Sequence, residues 1–322
     1  NEEIDAIINN KEAANFKNTI EAYDLSGELL AKVSGVFFNM TSCNTNEELQ
    51  KLEEKIGPMV AKHGDEITMN AKLFERVKKV WDNKDKEKLN KEQQMLLDKT
   101  YKKFVRSGAL LNKEKQEKLK KVNGELTTLE SKFTSNLLKE TKSYSLVVDK
   151  KENLKGLPAW LVEQAATTAK EQKKEGKWVF TLDNPSVFPF LQYSENRQLR
   201  EKIFKAKNNR CNNGGATDNK EVIKKIVNLR AQKAELLGYK SFADYVLEER
   251  MNKTPKAVYD LLEGLLKYSI PAAKKDVAEL QKLLDKDQKG AKLEAWDWSY
   301  YSEKLKKQKF NFDEEETRPY FE

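Results

Sequence analysis

Histidine is almost absent from this sequence, whose 322 residues include only His63. A catalytic zinc ion takes three protein ligands, usually His, Glu or Cys, and a Ser-His-Asp or Cys-His centre needs a histidine with fitting partners. Cysteine is equally scarce, since Cys43 and Cys211 lie far apart, and no H-E-x-x-H or C-x-x-C motif occurs. The sequence is therefore poor in the side chains that bind zinc or do acid–base chemistry near neutral pH.

The single histidine lies in Ala61–Asp65, where we predict the end of a helix. An imidazole near a helix C-terminus gains from the helix dipole, and Asp65 offers it a carboxylate partner. No nucleophile or ligand motif surrounds His63, so we assign it a structural role.

Long apolar runs are also missing. No stretch of about 18 apolar residues occurs, so no membrane-spanning helix and no membrane partner are predicted. The first residue is Asn1, and no apolar signal region follows it, which indicates a processed product or an excised piece of a longer chain. We predict a cytoplasmic location, with the periplasm as the alternative.

The net charge of +8 comes from 60 basic and 52 acidic residues, which alternate along the chain. Alternating charge is typical of solvated helix faces, whereas a nucleic-acid surface concentrates basic residues in a patch. We therefore predict no nucleic-acid partner.

Glycine (13) and proline (7) are sparse, and apolar residues recur at helical spacing over long stretches. Leu119 to Leu137 predicts one long helix, and Thr254-Pro255 predicts an N-cap followed by proline in the first turn. Pro271 is expected to kink or break the helix that follows. The fold class predicted is mainly α, a multi-helix domain.

A short change of period interrupts the helices between residues 143 and 193. Ser143–Asp149 and Lys177–Leu182 are β-branched or aromatic and predict strands around a helix at Ala159–Lys174. Phe188–Tyr193 is interpreted as a third extended piece. We predict an N-terminal helical region 1–142, a strand-bearing insert 143–193 and a second helical region 194–322.

Two segments are candidates for a substrate surface. The first is the loop with Asn213, Gly214, Gly215, Asp218 and Asn219, whose glycines let a peptide backbone approach. It is not a phosphate-binding P-loop, because no Lys-Ser/Thr pair follows. The second is Trp296–Tyr301, with Trp296, Tyr300 and Tyr301 as candidates. Its four aromatic side chains cannot all point to the same side of a helix. Asp297 is expected to cap the start of the helix or to pair with a basic side chain.

The second segment also carries a family resemblance. Trp296-Asp297-Trp298-Ser299-Tyr300-Tyr301, followed by Phe312–Glu315 and Arg318–Phe321, resembles the W-D-x-x-Y-Y … D-E … Y-F signature of the thimet oligopeptidase/oligopeptidase A family of zinc metallopeptidases. Further stretches resemble its Dcp-like peptidyl-dipeptidase branch, and the resemblance runs along essentially the whole chain. These stretches are Asn15–Ala22, Val36–Ser42, Lys177–Val187, Asn213–Asn219 and Leu236–Tyr245.

The resemblance implies a zinc peptidase that removes dipeptides from the C-termini of short peptides, within a helical fold split by a deep cleft. The family's zinc is held by an H-E-x-x-H helix and a downstream Glu, which are absent here. We therefore expect the N-terminal, non-catalytic part of such an enzyme, which continues into a catalytic zinc domain absent from this chain. It would form one cleft wall, gate substrate size and bind no zinc alone.

Its expected partners are short peptides and the missing catalytic domain. The alternative is a stand-alone helical binding or scaffold protein derived from the peptidase fold.

Overall fold

The computed structural model of the chain describes residues 2–312, 316–317 and 320. Most of these residues are helical. The helices are α1 (Glu2–Ile8), α2 (Ala22–Asp24), α3 (Glu28–Cys43), α4 (Glu47–Thr68), α5 (Ala71–Asp82), α6 (Lys91–Arg106), α7 (Lys113–Ser143), α8 (Ala159–Glu171), α9 (Asn184–Tyr193), α10 (Arg197–Asn208), α11 (Lys220–Leu236), α12 (Phe242–Leu247), α13 (Pro255–Asp287) and α14 (Trp298–Phe310). A π-helical turn lies at Phe16–Glu21, and 3₁₀ turns lie at Lys84–Lys86, Lys151–Leu154 and Ala295–Asp297.

Two short strands, β1 (Leu146–Val148) and β2 (Trp178–Phe180), form an antiparallel pair with Leu146 opposite Phe180. The prediction of a mainly α fold with a small strand-bearing insert is confirmed. The long helix predicted over Leu119 to Leu137 is also confirmed, as part of α7.

The chain divides into two compact units. Unit 1 contains Asn1–Ser135 and Glu221–Pro255, and unit 2 contains Asn136–Lys220 and Lys256–Glu322. The division into regions 1–142, 143–193 and 194–322 stays a prediction.

Unit 1 has a core between α1, α5, α6 and the π-helical turn. Its members are completely or almost completely buried because α5 and α6 each carry apolar residues three and four positions apart. The core includes Ile20, Leu73, Val77, Leu97 and Phe104. A second cluster joins α7 to α11 through Val122, Leu126, Ile226 and Leu229.

Unit 2 has its core under the two-stranded sheet. Leu146 and Phe180 from the strands pack with Leu161 of α8, Phe190 of α9 and Ile203 of α10. A smaller cluster joins the end of α13 to α14 through Leu280, Leu284 and Tyr301. The smaller cluster also includes Leu293 and Tyr300, which lie on either side of Trp296 in the sequence.

The third extended piece expected at Phe188–Tyr193 is wrong, because those residues lie in α9. Val187, Phe190 and Leu191 are buried, and their spacing of three and four is helical. Pro185 occupies the first turn of this helix, where its missing N–H has no partner to lose.

Helix α13 begins after Thr254, as predicted, and its second half supplies the buried Leu280 and Leu284. Of the kink or break expected at Pro271, the break is absent, since the helix runs through this residue. Residues 259–279 are all exposed, including Leu261, Leu265 and Tyr268. Water can therefore reach the carbonyl that proline leaves without a partner. No helix in the described part of the chain has the length and apolar character needed to cross a membrane.

Candidate functional site

The first candidate segment is a loop between α10 and α11 in unit 2. Cys211, Gly214 and Gly215 have φ angles of 58°, 77° and 83°, a left-handed conformation that only glycine adopts without strain. The backbone N–H of Asn219 donates to the carbonyl of Cys211 at 2.9 Å and closes the loop. The two glycines therefore form the turn itself and are exposed at its tip.

Glu140 of α7 holds this loop in place. Its carboxylate accepts hydrogen bonds from the backbone N–H of Cys211 at 2.8 Å, from Asn213 Nδ2 at 2.6 Å and from Thr217 Oγ1 at 3.0 Å. Burial opposes ionisation of this carboxyl, but the three hydrogen bonds outweigh it and lower the pKa of Glu140. Beneath the loop, Asn136 Nδ2 donates to Asn219 Oδ1 at 2.9 Å, and both residues are buried.

Replacing Glu140 with glutamine is expected to loosen the loop. Glutamine has an NH₂ group in place of one carboxylate oxygen. At least one of the three groups that donate to Glu140 would therefore face another donor instead of an acceptor. Hydrogen bonds to charged groups contribute about 1.5–3 kcal/mol, so the Cys211 amide should exchange at least about 10-fold faster with deuterium. Glu114→Gln is the control, because Glu114 lies on the same helix and makes only an exposed pair with Lys118. Equal exchange in the Glu140 and Glu114 variants would contradict this role.

Asp218 closes the loop from the other side. Its carboxylate accepts from the backbone N–H of Gly214 at 2.7 Å and that of Lys220 at 2.9 Å, and it pairs with Lys220 Nζ at 2.7 Å. The ammonium and the backbone N–H of Lys220 lower the pKa of Asp218 to about 2.

The lowered pKa of Asp218 sets a pH dependence for the loop. Because the folded pKa lies below the ordinary value of 3.8, this carboxylate stabilises the loop above about pH 4 and loses that effect as the pH falls towards 2. A carbon-detected NMR titration of its carboxyl should show a midpoint near 2. A midpoint near 3.8 would show that Asp218 does not hold the loop.

The second candidate segment is built around Asp297, which is completely buried. Its carboxylate accepts from Arg197 Nη2 at 2.7 Å and from Arg200 Nη2 at 2.8 Å, and it also caps the backbone N–H of Glu294 at 3.0 Å. Burial opposes the charge, but the hydrogen bonds from the two guanidinium groups outweigh it and lower the pKa of Asp297. The expectation that Asp297 caps or pairs is confirmed.

Arg200 is as buried as its partner and has acceptors on three sides. Besides Asp297, it donates to the carbonyl of Ser194 at 2.7 Å and to that of Trp296 at 3.3 Å. The ring of Tyr300 lies 4.2 Å from its guanidinium carbon, within the range of a cation–π contact. Tyr300 therefore covers a structural ion cluster.

The aromatics of this segment separate as their spacing requires. Tyr301 is buried, Trp296 and Tyr300 are half-buried, and Trp298 is 41% exposed. Burial of Tyr301 raises its pKa, and the nearby charge of Asp287 adds to this effect. The aromatic side chain that the segment offers to solvent is Trp298, which sequence reasoning did not select.

The loop and the aromatic segment have different neighbours. The loop bonds to Glu140 of α7, whereas the aromatic segment bonds to Arg197 and Arg200 of α10. Asn213, Asp218 and Asn219 use their side chains to hold the loop, which leaves the exposed backbone of Gly214 and Gly215 as the surface it offers. Whether these residues line a substrate cleft stays a prediction.

The expected contact between His63 and Asp65 is wrong. His63 lies within α4, which continues to Thr68, and Asp65 accepts from Asn123 Nδ2 instead. Side chains two positions apart on a helix point to different faces, which explains why the two do not meet.

The residues that the structure describes form no cluster that fits a zinc ion. Among the residues that the structure describes, no three His, Cys, Asp or Glu side chains come together as metal ligands. Cys43 is exposed in unit 1, and Cys211 is buried in unit 2.

Comparison with known proteins shows a family match in the second half of the chain. Residues 190–322 match the model of peptidase family M3. The match covers α10, the Asn213–Asn219 loop and the Trp296–Tyr301 segment. Part of the signature behind the family M3 resemblance, residues 313–315, 318, 319 and 321, lies outside the described residues.

Curated relatives are similar to nearly the whole chain. The chain is 37% identical to dipeptidyl carboxypeptidase of Escherichia coli K12 over 99% of its own length and 47% of that protein. It is 32% identical to the organellar oligopeptidase A of Arabidopsis thaliana, over 94% of this chain and 39% of that protein. It is 29% identical to oligopeptidase A of E. coli K12, over 94% of this chain and 44% of that protein. The resemblance seen in the sequence is confirmed. The chain spans about half the length of these relatives.

Proposed function

We propose that the chain is a substrate-binding part of a zinc metallopeptidase that removes dipeptides from the C-termini of short peptides. In this proposal the chain supplies one wall of the substrate cleft and limits the size of the peptides that enter. It supplies neither the zinc ligands nor the catalytic residues, so it is inactive by itself. The residues that would hold zinc belong to a catalytic domain that pairs with this chain.

The observation that carries the proposal is the similarity to E. coli dipeptidyl carboxypeptidase over 99% of the chain. Such continuous similarity supports a shared role in peptide binding, while the sequence contains no H-E-x-x-H motif. A relative named as a probable cytosolic oligopeptidase A, from A. thaliana, is 32% identical and supports a cytoplasmic location, with the periplasm as the alternative.

Two exposed surfaces in unit 2 suit contact with a peptide. The tip of the loop presents the backbone of Gly214 and Gly215, which a peptide backbone can approach closely because neither residue has a side chain. Trp298 presents an aromatic face, which binds apolar side chains and cations alike. The structural roles of Asp218 and Asp297 keep both surfaces in fixed positions.

The alternative function is a stand-alone binding or scaffold protein. The apolar surface of α13 is compatible with it, because Leu261, Leu265 and Tyr268 are exposed along a helix whose residues 259–279 are all exposed. Exposed apolar surface of this extent marks a site of protein contact. The catalytic domain of the first proposal would serve equally as that partner, so only an activity measurement separates the two.

A chimera tests the proposal directly. The 322 residues would replace the aligned half of E. coli dipeptidyl carboxypeptidase, and release of C-terminal dipeptides from a short peptide would be measured. We expect cleavage by the chimera and none by the remaining half of the E. coli enzyme, which is the control. A chimera that folds and binds zinc but does not cleave would contradict the proposal and favour the scaffold.

The same chimera tests the size gate. We expect cleavage of short peptides and no cleavage of a folded protein that ends in the same residues. Cleavage of both at similar rates would contradict gating.

A further inference from the structure

An open cavity of about 400 Å³ lies in unit 1 and is lined by both polar and apolar side chains. Its walls are formed by α4, α7, α11 and α12, and its lining includes Asp65, Asn123, Glu130, Arg230 and Lys233. The volume falls in the range of small-molecule sites. Two acids and two bases therefore share a space large enough for a small ligand.

Lys233 brings a half-buried side chain and its ammonium group to this cavity. Its Nζ donates to Asn123 Oδ1 at 2.8 Å, the single hydrogen-bond acceptor that it has among the described residues. An ammonium group has three donors, so two N–H groups remain for a ligand. Burial lowers the pKa of Lys233, although the charges of Asp65 and Glu130 oppose this effect.

Asp65 is the matching acid on the opposite side of Asn123. Both of its carboxylate oxygens accept from the same Asn123 Nδ2, each at 3.0 Å. Burial raises the pKa of Asp65, and the bond from Asn123 only partly offsets it. One amide group therefore separates an ammonium and a carboxylate, each with hydrogen-bonding capacity to spare.

Arg230 and Glu130 add a second pair of opposite charges to the same cavity. Arg230 Nη2 donates to Glu130 at 2.7 Å, and its guanidinium carbon lies 5.2 Å from the ring of Phe242. Arg230 precedes Lys233 by three residues on α11, so both side chains lie on one face of the helix.

We infer that this cavity binds a short zwitterion of the α-amino acid class. The carboxylate of the ligand accepts hydrogen bonds from Lys233 and Arg230, and its ammonium donates to Asp65. A ligand with negative charge alone would bring that charge beside Asp65 without a cation to meet it, so both charges are needed. The inference concerns unit 1 and does not depend on the proposed function.

The test titrates the whole 322-residue chain with L-alanine and follows the side-chain NH₂ signals of Asn123 by NMR. N-acetyl-L-alanine and L-alaninamide are the matched probes, because each lacks one of the two charges. We expect saturable one-to-one binding of L-alanine, with both derivatives at least about 10-fold weaker, as loss of a charged contact requires.

Variants locate the binding. Lys233→Met and Asp65→Asn should each weaken L-alanine at least about 10-fold, and Lys233→Arg should restore part of the affinity. Lys225→Met is the control, because Lys225 is exposed on the same helix, and it should bind like the parent chain. Circular dichroism identifies any variant that does not fold, and the parent chain with the three probes tests the inference without variants.

Three results would each overturn the inference. They are the absence of saturable binding, equal affinity for L-alanine and N-acetyl-L-alanine, and unchanged affinity in a folded Lys233→Met variant.

Discussion

Replacing Asp297 with alanine is expected to lower the free energy of unfolding by about 3–5 kcal/mol. Asp297 and Arg200 are buried at 0% and 1% exposure, so the variant leaves a guanidinium group inside the protein without its counter-charge. Arg197 loses the same partner but is one-quarter exposed, so water can compensate it in part. Most of the expected loss therefore comes from Arg200.

Urea denaturation followed by circular dichroism measures this effect. The control is Asp260→Ala, which removes an exposed pair with Lys256 on α13 and should change stability by no more than about 0.5 kcal/mol. Similar midpoints for the two variants would contradict the structural role assigned to the Asp297 cluster.

Replacing Gly156 with alanine is expected to cost about 3 kcal/mol or more, because two effects add. Gly156 has a φ of 84°, and an added Cβ would lie 2.3 Å from the backbone carbonyl of Tyr193. Backbone atoms cannot move aside as a flexible side chain can. The clash also lies next to Ser194, whose carbonyl accepts from Arg200, so it would disturb the ion cluster.

Gly176→Ala separates the two effects. Gly176 has a similar φ of 79° and no atom within 4 Å of an added Cβ, so it reports the conformational strain alone, about 1 kcal/mol. We expect denaturation midpoints in the order parent chain, Gly176→Ala, Gly156→Ala. Equal midpoints for the two variants would show that the backbone at Gly156 does not lie this close to the carbonyl of Tyr193.

The helices and both strands could be predicted because their signals are local. Thr254-Pro255 begins α13, and the short β-branched runs at 143–149 and 177–182 contain β1 and β2. The error at Phe188–Tyr193 arose because an aromatic-rich run of six residues suits a buried strand or a buried helix equally. The helical spacing of Val187, Phe190 and Leu191 was the signal that could have decided it.

The candidate site was harder to predict because its contacts join distant parts of the chain. Glu140 lies 71 residues before Cys211, and Arg200 lies 97 residues before Asp297. Sequence patterns identified one side of each contact, the glycine loop and the Trp-Asp pair. The spacing of Arg197 and Arg200 on one face of α10 was a local signal, but nothing near it indicates a buried carboxylate partner.

The activity of the purified chain with added zinc tests most directly the proposal that this chain does not cleave peptides by itself. A peptide with a C-terminal dipeptide reporter is the substrate, and E. coli dipeptidyl carboxypeptidase is the positive control. We expect no release of dipeptide above the rate in buffer, because the sequence lacks H-E-x-x-H and the described residues hold no metal-ligand cluster. Zinc-dependent release that copurifies with the chain and disappears with a chelator would contradict the proposal that this chain binds peptides but does not cleave them.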